Sequence, residues 1–176
     1  MPNYRRAFVP GGCWFFTVNL LERRNTLLVD HIAILRDAVA RTRQRLPFEI
    51  DAVVVLPDHL HAVWTLPPED ADFSTRWRLI KTHFAKGLPK QERLSVVRAR
   101  RRERGIWQRR FWEHLIRDED DYARHVEYCM INPVKHGLVS LVQDWPYSSF
   151  HRDVCRGVFP IDWTGDAGVE GEFGEA

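Results

Sequence analysis

Hydrophobic and polar positions alternate most clearly between Val53 and Leu66, where the pattern predicts two strands joined by a turn at Pro57-Asp58. The first strand, 53–56, is apolar at every position, which is typical of a strand covered on both faces. The second strand has two different faces, because successive side chains point to opposite sides of a sheet. One face carries Leu60, Ala62, Trp64 and Leu66, and the other carries His59, His61, Val63 and Thr65.

Other stretches of the chain have the spacing of strands or amphipathic helices. Aromatic and β-branched residues favour strands, whereas apolar residues three and four positions apart favour helices. These patterns predict strands at 13–20 and 111–116 and helices at 30–45, 73–88 and 118–132. Asp30 is expected to cap the first helix, and Asn132-Pro133 to end the third. The order strand, helix, strand, strand, helix, strand, helix predicts an α+β fold with a ferredoxin-like antiparallel sheet and flanking helices.

Length, composition and charge indicate one globular domain with a polyanionic partner. The chain has 176 residues, of which 44% are hydrophobic, and this is enough for one core. Its net charge of +2 is unevenly distributed: residues 88–110 hold nine Lys or Arg against two Glu, and residues 162–176 hold five acids without Lys or Arg. We predict a domain at 1–160 with a basic connector around 88–105, and a flexible acidic tail at 161–176. This asymmetry favours nucleic acid as the partner; the alternative is a solvated basic loop.

Cysteine usage and the N-terminus predict a cytoplasmic protein. The three cysteines are scattered and lack the spacing of a zinc or redox site, which fits a reducing compartment. The first residues are not followed by the apolar region of a signal peptide, and no apolar run approaches the length of a membrane span. A membrane partner is therefore not expected.

The histidine pair is the first candidate for chemistry. His59 and His61 share one strand face, where two imidazoles can bind one metal ion and leave positions open for water or substrate. Imidazole also suits zinc, copper and nickel, so the ligands alone do not select the ion. The alternative is a solvated strand face that carries two histidines without a role.

The third predicted helix supplies a candidate nucleophile. His125, Tyr128 and Asn132 follow the spacing i, i+3 and i+7 on one helix face. If that helix packs on the histidine face, Tyr128 can attack a metal-polarised phosphodiester, while His125 orients the substrate or helps to move a proton. The alternative for Tyr128 is an ordinary half-buried helix tyrosine.

Basic side chains outside these motifs are candidates for DNA contact. In the helix at 73–88, four of them lie off the apolar stripe: Arg76, Arg78, Lys81 and Lys86. The predicted DNA-binding residues are Arg5, Arg6, Arg78, Lys81, Arg109, Arg110 and His125, and His114 is a further site neighbour.

Three motifs together resemble the REP-associated tyrosine transposases, single-tyrosine members of the HUH (histidine, hydrophobic, histidine) endonuclease superfamily. The segment 54–61, Val-Val-Leu-Pro-Asp-His-Leu-His, matches the histidine motif of that family. The segments 107–114, Trp-Gln-Arg-Arg-Phe-Trp-Glu-His, and 128–139, Tyr-Cys-Met-Ile-Asn-Pro-Val-Lys-His-Gly-Leu-Val, match its other hallmarks. The resemblance extends from about Tyr4 to Trp163.

This resemblance implies the HUH endonuclease fold and a specific reaction. His59 and His61 would bind Mg²⁺ or Mn²⁺, with Asn132 as a third ligand. Tyr128 would attack single-stranded DNA, giving a 5′-phosphotyrosine and a free 3′-OH in a reversible step. The expected substrate is a REP hairpin with a short guide sequence, and a monomer is expected.

Three other functions compete with this one. A rolling-circle initiator or relaxase would be larger or carry helicase or multi-tyrosine features. A metal-dependent hydrolase would use water and leave no covalent adduct. A non-catalytic nucleic-acid-binding module on the same sheet would need exposed aromatic side chains on the central strands.

Overall fold

The structure is a computed structural model that describes residues 7–23, 26–90, 100, 104–165 and 173–174. Arg5, Arg6, most of the predicted basic connector and most of the acidic tail lie outside the described residues. The strands are β1 (Cys13–Asn19), β2 (Glu49–Val55), β3 (His59–Thr65) and β4 (Trp112–Leu115). The helices are α1 (Leu27–Asp30), α2 (Ile32–Arg45), α3 (Phe73–Gly87), α4 (Glu119–Lys135) and α5 (Phe150–Cys155), with a 3₁₀ turn at Val142–Asp144.

The four strands form one antiparallel sheet in the order β2-β3-β1-β4. β1 and β3 are therefore central, and β4 is an edge strand. This order follows from the split βαβ plan, and the predicted fold class is confirmed. Within the described residues, no helix is both long and apolar enough to cross a membrane.

Each face of the sheet has its own hydrophobic core. The first lies under α2 and α3, where the Trp64 and Trp77 rings stack with centroids 4.1 Å apart. The second lies under α4 and is centred on Phe15. β1 and β3 are apolar on most positions because both of their faces are covered. The alternation predicted for β3 is confirmed, since Leu60 and Trp64 enter the first core and Val63 enters the second.

The predicted end of the third helix is wrong. α4 continues through Pro133 to Lys135, although proline removes one hydrogen-bond donor from a helix. Instead, hydrogen bonds from residues that follow the helix close its last turn. Leu138 N donates to Pro133 O and Gly137 N donates to Val134 O, both at 2.9 Å, and Gly137 has φ +67°. This is the Schellman arrangement.

Two other local predictions also differ from the structure, and one short helix is additional to them. Asp30 ends α1, and His31 is the residue that precedes α2. α5 was not predicted from the sequence. Arg76 does not face DNA: it is 1% exposed, and its guanidinium donates to Asp72 O, Pro47 O and the Asp70 carboxylate. These acceptors make burial of the charge tolerable.

Candidate active site and metal-binding residues

β3 positions the two histidines on the sheet face that α4 covers. His59 lies opposite Asn19, and His61 lies opposite Thr17, on the neighbouring strand β1. The imidazole centroids are 5.0 Å apart and nearly perpendicular. His59 is 2% exposed and His61 is 0% exposed. The alternative of a solvated strand face therefore does not describe this pair.

A carboxylate fixes the orientation of the first imidazole. His59 Nδ1 lies 2.6 Å from Asp58 Oδ1, and Arg23 forms an ion pair with the same carboxyl. Burial tends to raise the pKa of Asp58, but hydrogen bonds and charge from His59 and Arg23 outweigh burial and lower it. An ionised carboxylate only accepts, so His59 Nδ1 carries a proton, and the neutral imidazole then has its lone pair on Nε2.

A hydroxyl fixes the second imidazole. His61 Nδ1 lies 2.8 Å from Thr17 Oγ1. The single proton of that hydroxyl is donated to Phe173 O at 2.5 Å, so Thr17 accepts from His61 Nδ1–H. Both imidazoles thus share the tautomer with a lone pair on Nε2. Outer partners of this kind orient the histidine ligands of metal sites.

α4 packs Tyr128 against the histidine pair and carries Asn132 one turn later. The Tyr128 ring meets the His61 ring edge-on, with centroids 5.3 Å apart, and is 1% exposed. Asn132, one turn later on the same helix face, is 0% exposed. The structure therefore packs Tyr128 on the histidine face and buries Asn132 on the same face of α4. The roles of these residues stay a prediction. Tyr128 is fully buried rather than half-buried.

Two further side chains reach this site but were missed in the sequence. Lys135 Nζ lies 3.5 Å from Tyr128 Oη and 4.6 Å from the centroid of its ring. The His136 ring lies 5.2 Å from the His59 ring. The signal was available, because Lys135 is seven residues after Tyr128 and so on the same helix face. The wrongly predicted break at Pro133 concealed it.

A short piece of the C-terminal tail covers Tyr128. The Phe173 ring stacks on the Tyr128 ring with centroids 3.6 Å apart and planes within 10°. Gly174 follows with φ +70°, and a Cβ at that residue would come within 2.5 Å of the Trp112 side chain. The backbone conformation and the close approach both require glycine at this position.

A second polar cluster joins β4 to the start of α4. His114 Nε2 lies 2.8 Å from Asp121 Oδ2, and His125 Nδ1 lies 2.7 Å from Asp121 O. Candidate ligand atoms of these three residues lie within 4.8 Å of one another and could hold a metal ion. His114 Nε2, His125 Nδ1 and the Asp121 carboxylate are engaged in hydrogen bonds, however, and the carboxylate also accepts from Arg117 N. An ion bound through these atoms would have to replace those bonds.

This cluster contains the predicted neighbour His114 and the predicted DNA contact His125. His125 is 5% exposed and packs on Phe15 at 4.7 Å. Burial lowers the pKa of His125, and the nearby His114 lowers it further, against the opposing hydrogen bond to Asp121 O. The imidazole is therefore neutral near pH 7.

The predicted DNA-binding side chains on α3 and before β4 lie on the other face of the sheet from Tyr128. Arg78, Lys81 and Arg109 line a cavity of about 400 Å³, together with Ser74, Thr75, Thr82 and Phe111. This cavity is on the α3 side of the sheet, opposite the face with Tyr128. Lys81 Nζ also donates to Gln108 O at 3.0 Å. Arg110 is exposed beside it.

Comparison with known proteins gives consistent results over nearly the whole chain. The chain is 53% identical to the REP-associated tyrosine transposase of Escherichia coli (strain K12), over 94% of this chain and 93% of that protein. A Haemophilus influenzae protein whose name carries the same family designation is 49% identical, over 98% of this chain and 100% of that protein. No family model matches the chain.

A solved structure agrees with these relatives. A REP-associated tyrosine transposase bound to a REP hairpin is 51% identical, superimposes with a TM-score of 0.87, and covers 100% of this chain and 98% of its own. The resemblance inferred from the three motifs is confirmed. At this identity and coverage, the chain belongs to the REP-associated tyrosine transposase family.

Proposed function

We propose that this protein is a metal-dependent single-stranded DNA endonuclease and strand transferase that uses Tyr128 as its nucleophile. The observation that carries the proposal is the contact between the Tyr128 ring and His61, within a buried group that also includes His59 and Asn132. A phenol hydroxyl is a weak nucleophile near pH 7, with an ordinary pKa of about 10. It needs a polarised target, and a metal site beside it supplies one.

The donor set fits a divalent ion. His59 and His61 would hold it through Nε2, since hydrogen bonds to Asp58 and Thr17 occupy both Nδ1 atoms. Asn132 would add an amide oxygen, which suits Mg²⁺ or Mn²⁺. When bound, the ion supplies Lewis-acid polarisation of a phosphodiester oxygen. The His114, Asp121 and His125 cluster is the weaker candidate, because an ion there would displace existing hydrogen bonds.

The proposed reaction is a transesterification. Tyr128 Oη forms a bond to phosphorus while the bond from phosphorus to O3′ breaks, which leaves a 5′-phosphotyrosine and a free 3′-OH. The phenol proton passes to water, and the departing O3′ takes a proton from water. Because one phosphodiester replaces another, the step is reversible, and strands can be rejoined without ATP.

The proposed substrate is a REP-type hairpin with a short guide sequence, since the solved relative is bound to a REP hairpin. Arg78, Lys81, Arg109 and Arg110 would contact phosphates, as would Arg5 and Arg6, and such contacts position DNA without specifying its sequence. DNA contact by His125 stays a prediction, and its burial favours a role in holding α4. We further propose that the protein acts as a monomer in the cytoplasm.

The tail is proposed to regulate access to the nucleophile. The part of the tail that the structure describes docks through the stacked Phe173 and Tyr128 rings and the hydrogen bond from Thr17 Oγ1 to Phe173 O. Tyr128 is 1% exposed, and we propose that Phe173 moves aside before a phosphodiester reaches Tyr128 Oη.

The competing function as a non-catalytic binding module has less support. Such a module stacks bases on exposed aromatic side chains of its central strands. The aromatic side chains of β1 and β3, which are Trp14, Phe15, Phe16 and Trp64, are all between 0% and 2% exposed.

A covalent-adduct assay tests the proposal. An end-labelled single-stranded hairpin from the repeats of the source genome is incubated with the protein, with and without Mn²⁺ or Mg²⁺, and run on a denaturing gel. We expect a metal-dependent adduct that Tyr128→Phe abolishes and that the control Tyr147→Phe retains. Cleavage without an adduct that persists in Tyr128→Phe would indicate a water-using hydrolase. Binding without cleavage would favour the binding module.

A further inference from the structure

Lys135 lies at the reacting oxygen of the proposed nucleophile. Its ammonium is 3.5 Å from Tyr128 Oη and 4.6 Å from the ring centroid, so it lies over the ring at the hydroxyl end. Tyr128, Asn132 and Lys135 follow the spacing i, i+4 and i+7, which places all three on one face of α4. The charge is also in the last helical turn, where a cation interacts favourably with the helix dipole.

The end of α4 holds this lysine in place. Had the helix ended at Pro133, Lys135 would have left the face that carries Tyr128. The Schellman bonds from Gly137 N and Leu138 N instead close the last turn around it. The backbone of Lys135 is therefore rigid, while its four-carbon stem and three rotatable donors remain adjustable at the tip.

A phosphodiester attacked by Tyr128 must come within reach of this ammonium. Reacting atoms approach to about 3–3.5 Å before the bond forms, so phosphorus would lie about as far from Oη as Lys135 Nζ does. The non-bridging oxygens around that phosphorus gain negative charge as Oη attacks. A charge-assisted hydrogen bond from an ammonium to such an oxygen is stronger than a neutral one, and it stabilises the transition state more than the bound substrate.

Resting on the proposed function, we propose that Lys135 is a catalytic residue that donates to a non-bridging oxygen of the scissile phosphate during attack by Tyr128. The step keeps the atom balance of the transesterification: Oη–P forms, P–O3′ breaks, and Lys135 remains an ammonium throughout. The same contact stabilises the reverse step, in which the 3′-OH attacks the phosphotyrosine. The metal-ligating residues and Lys135 would thus stabilise charge on the phosphate from two directions.

The competing role for Lys135 is structural, as a cation over an aromatic ring that merely stabilises the end of α4. A structural role predicts that loss of the charge lowers stability, with no effect on how the enzyme distinguishes the two non-bridging oxygens of its substrate.

The test compares Lys135→Gln and Lys135→Arg with Arg45→Gln. Arg45 is an exposed arginine in the last turn of α2, so its substitution removes one positive charge from an equivalent position on the other side of the sheet. Single-turnover adduct formation is measured on the single-stranded hairpin at saturating Mn²⁺, together with hairpin affinity and thermal unfolding. Each variant is also assayed on the two phosphorothioate diastereomers of the scissile phosphate.

We expect Lys135→Gln to slow adduct formation about 100-fold, in the range found for loss of one donor to a developing oxyanion. Hairpin affinity should stay within about twofold, and Lys135→Arg should recover part of the rate. In the unmodified protein, sulfur at the non-bridging position that accepts from Lys135 should slow adduct formation. That slowing should be smaller in Lys135→Gln, because the lysine donor is absent. Arg45→Gln should match the unmodified protein in every measurement.

Several results would overturn the assignment. Adduct formation by Lys135→Gln at the rate of Arg45→Gln would exclude a catalytic role. A slow variant with unchanged sensitivity to both phosphorothioates would indicate a structural role, as would a rate loss that follows the loss of thermal stability. Failure of the unmodified protein to form any adduct would instead refute the nucleophile itself, so the two proposals fail in different ways.

Discussion

Removing one buried hydroxyl tests whether the histidine pair is a metal site. Thr17→Val replaces the hydroxyl with a methyl group of similar size on β1, where a β-branched residue is well accommodated. Thr17 and His61 are both 0% exposed, and their hydrogen bond is 2.8 Å long. In Thr17→Val, His61 Nδ1–H loses the hydroxyl that accepts its hydrogen bond. The imidazole is then no longer held with Nε2 toward the site.

The size of the effect follows from this geometry. Loss of an outer hydrogen-bond partner of a metal-binding histidine costs about 10–100-fold in metal affinity, which corresponds to about 1.4–2.8 kcal/mol. The metal-free protein should lose about 1–3 kcal/mol of stability, because a buried polar group is left unsatisfied. Mn²⁺ affinity, measured by the electron paramagnetic resonance signal of the free ion, reports the first quantity, and urea unfolding reports the second.

Two control variants separate metal affinity from stability. Thr17→Ser keeps the hydroxyl and should bind Mn²⁺ nearly as well as the unmodified protein. Thr42→Val removes another hydroxyl that is 0% exposed and that donates to Ala38 O within α2 at 2.8 Å. It should lose stability without losing Mn²⁺ affinity. The reasoning is refuted if Thr17→Val binds Mn²⁺ within twofold of the unmodified protein, or if Thr42→Val loses affinity equally.

Three further predictions concern the helix end, the buried histidine and the tail. Gly137→Ala should lower the free energy of unfolding by about 1–2 kcal/mol, since an L residue is strained at φ +67°, and urea unfolding measures it. Burial lowers the pKa of His125, so the unfolded chain binds a proton there more readily. The contribution of His125 to the free energy of unfolding should be complete above the unfolded pKa of about 6.5 and should decrease as the pH falls below that value. Urea unfolding at several pH values would show this decrease. Phe173→Ala should increase the single-turnover rate of adduct formation, because Tyr128 is uncovered.

Each of these predictions has a matched control. Gly137 has no atom within 4 Å of an added Cβ, so any loss in Gly137→Ala reports backbone strain, and unchanged stability would contradict the assigned cap. His125→Gln should flatten the decrease of stability between about pH 7 and pH 5, whereas His151→Gln, at an exposed position on α5, should not. Phe159→Ala removes an aromatic ring packed near α5, and an equal rate increase there would refute the specific role of Phe173.

The main features of the fold were predictable because they depend on patterns within short stretches. The alternation along β3 assigns His61 and Trp64 to opposite faces whatever the rest of the chain does. The apolar strand before it requires cover on both sides, and the element order then restricts the sheet to few topologies. The three motifs placed Tyr128 and the histidines in one family before any geometry was known.

The errors arose where distant atoms outweigh local preferences. Arg76 has the spacing of a solvent-facing residue on α3, yet Pro47 O, 29 residues earlier in the chain, accepts from its guanidinium. Pro133 disfavours a helix locally, but bonds from Gly137 and Leu138 close the turn that it weakens. Neither compensation can be read from a window of a few residues.

The sequence by itself placed His59 and His61 on one strand face and Tyr128 and Asn132 on one helix face, because residue type and period-two or period-3.6 spacing are local properties of the chain. Only the tertiary structure decided how those residues are held. The proton on His61 depends on Thr17, 44 residues away, and the proton of Thr17 depends on Phe173, 156 residues away. Whether Tyr128 is accessible depends on that same Phe173 ring. Hydrogen-bond direction and burial are properties of neighbours in space, and folding brings those neighbours together from remote parts of the chain.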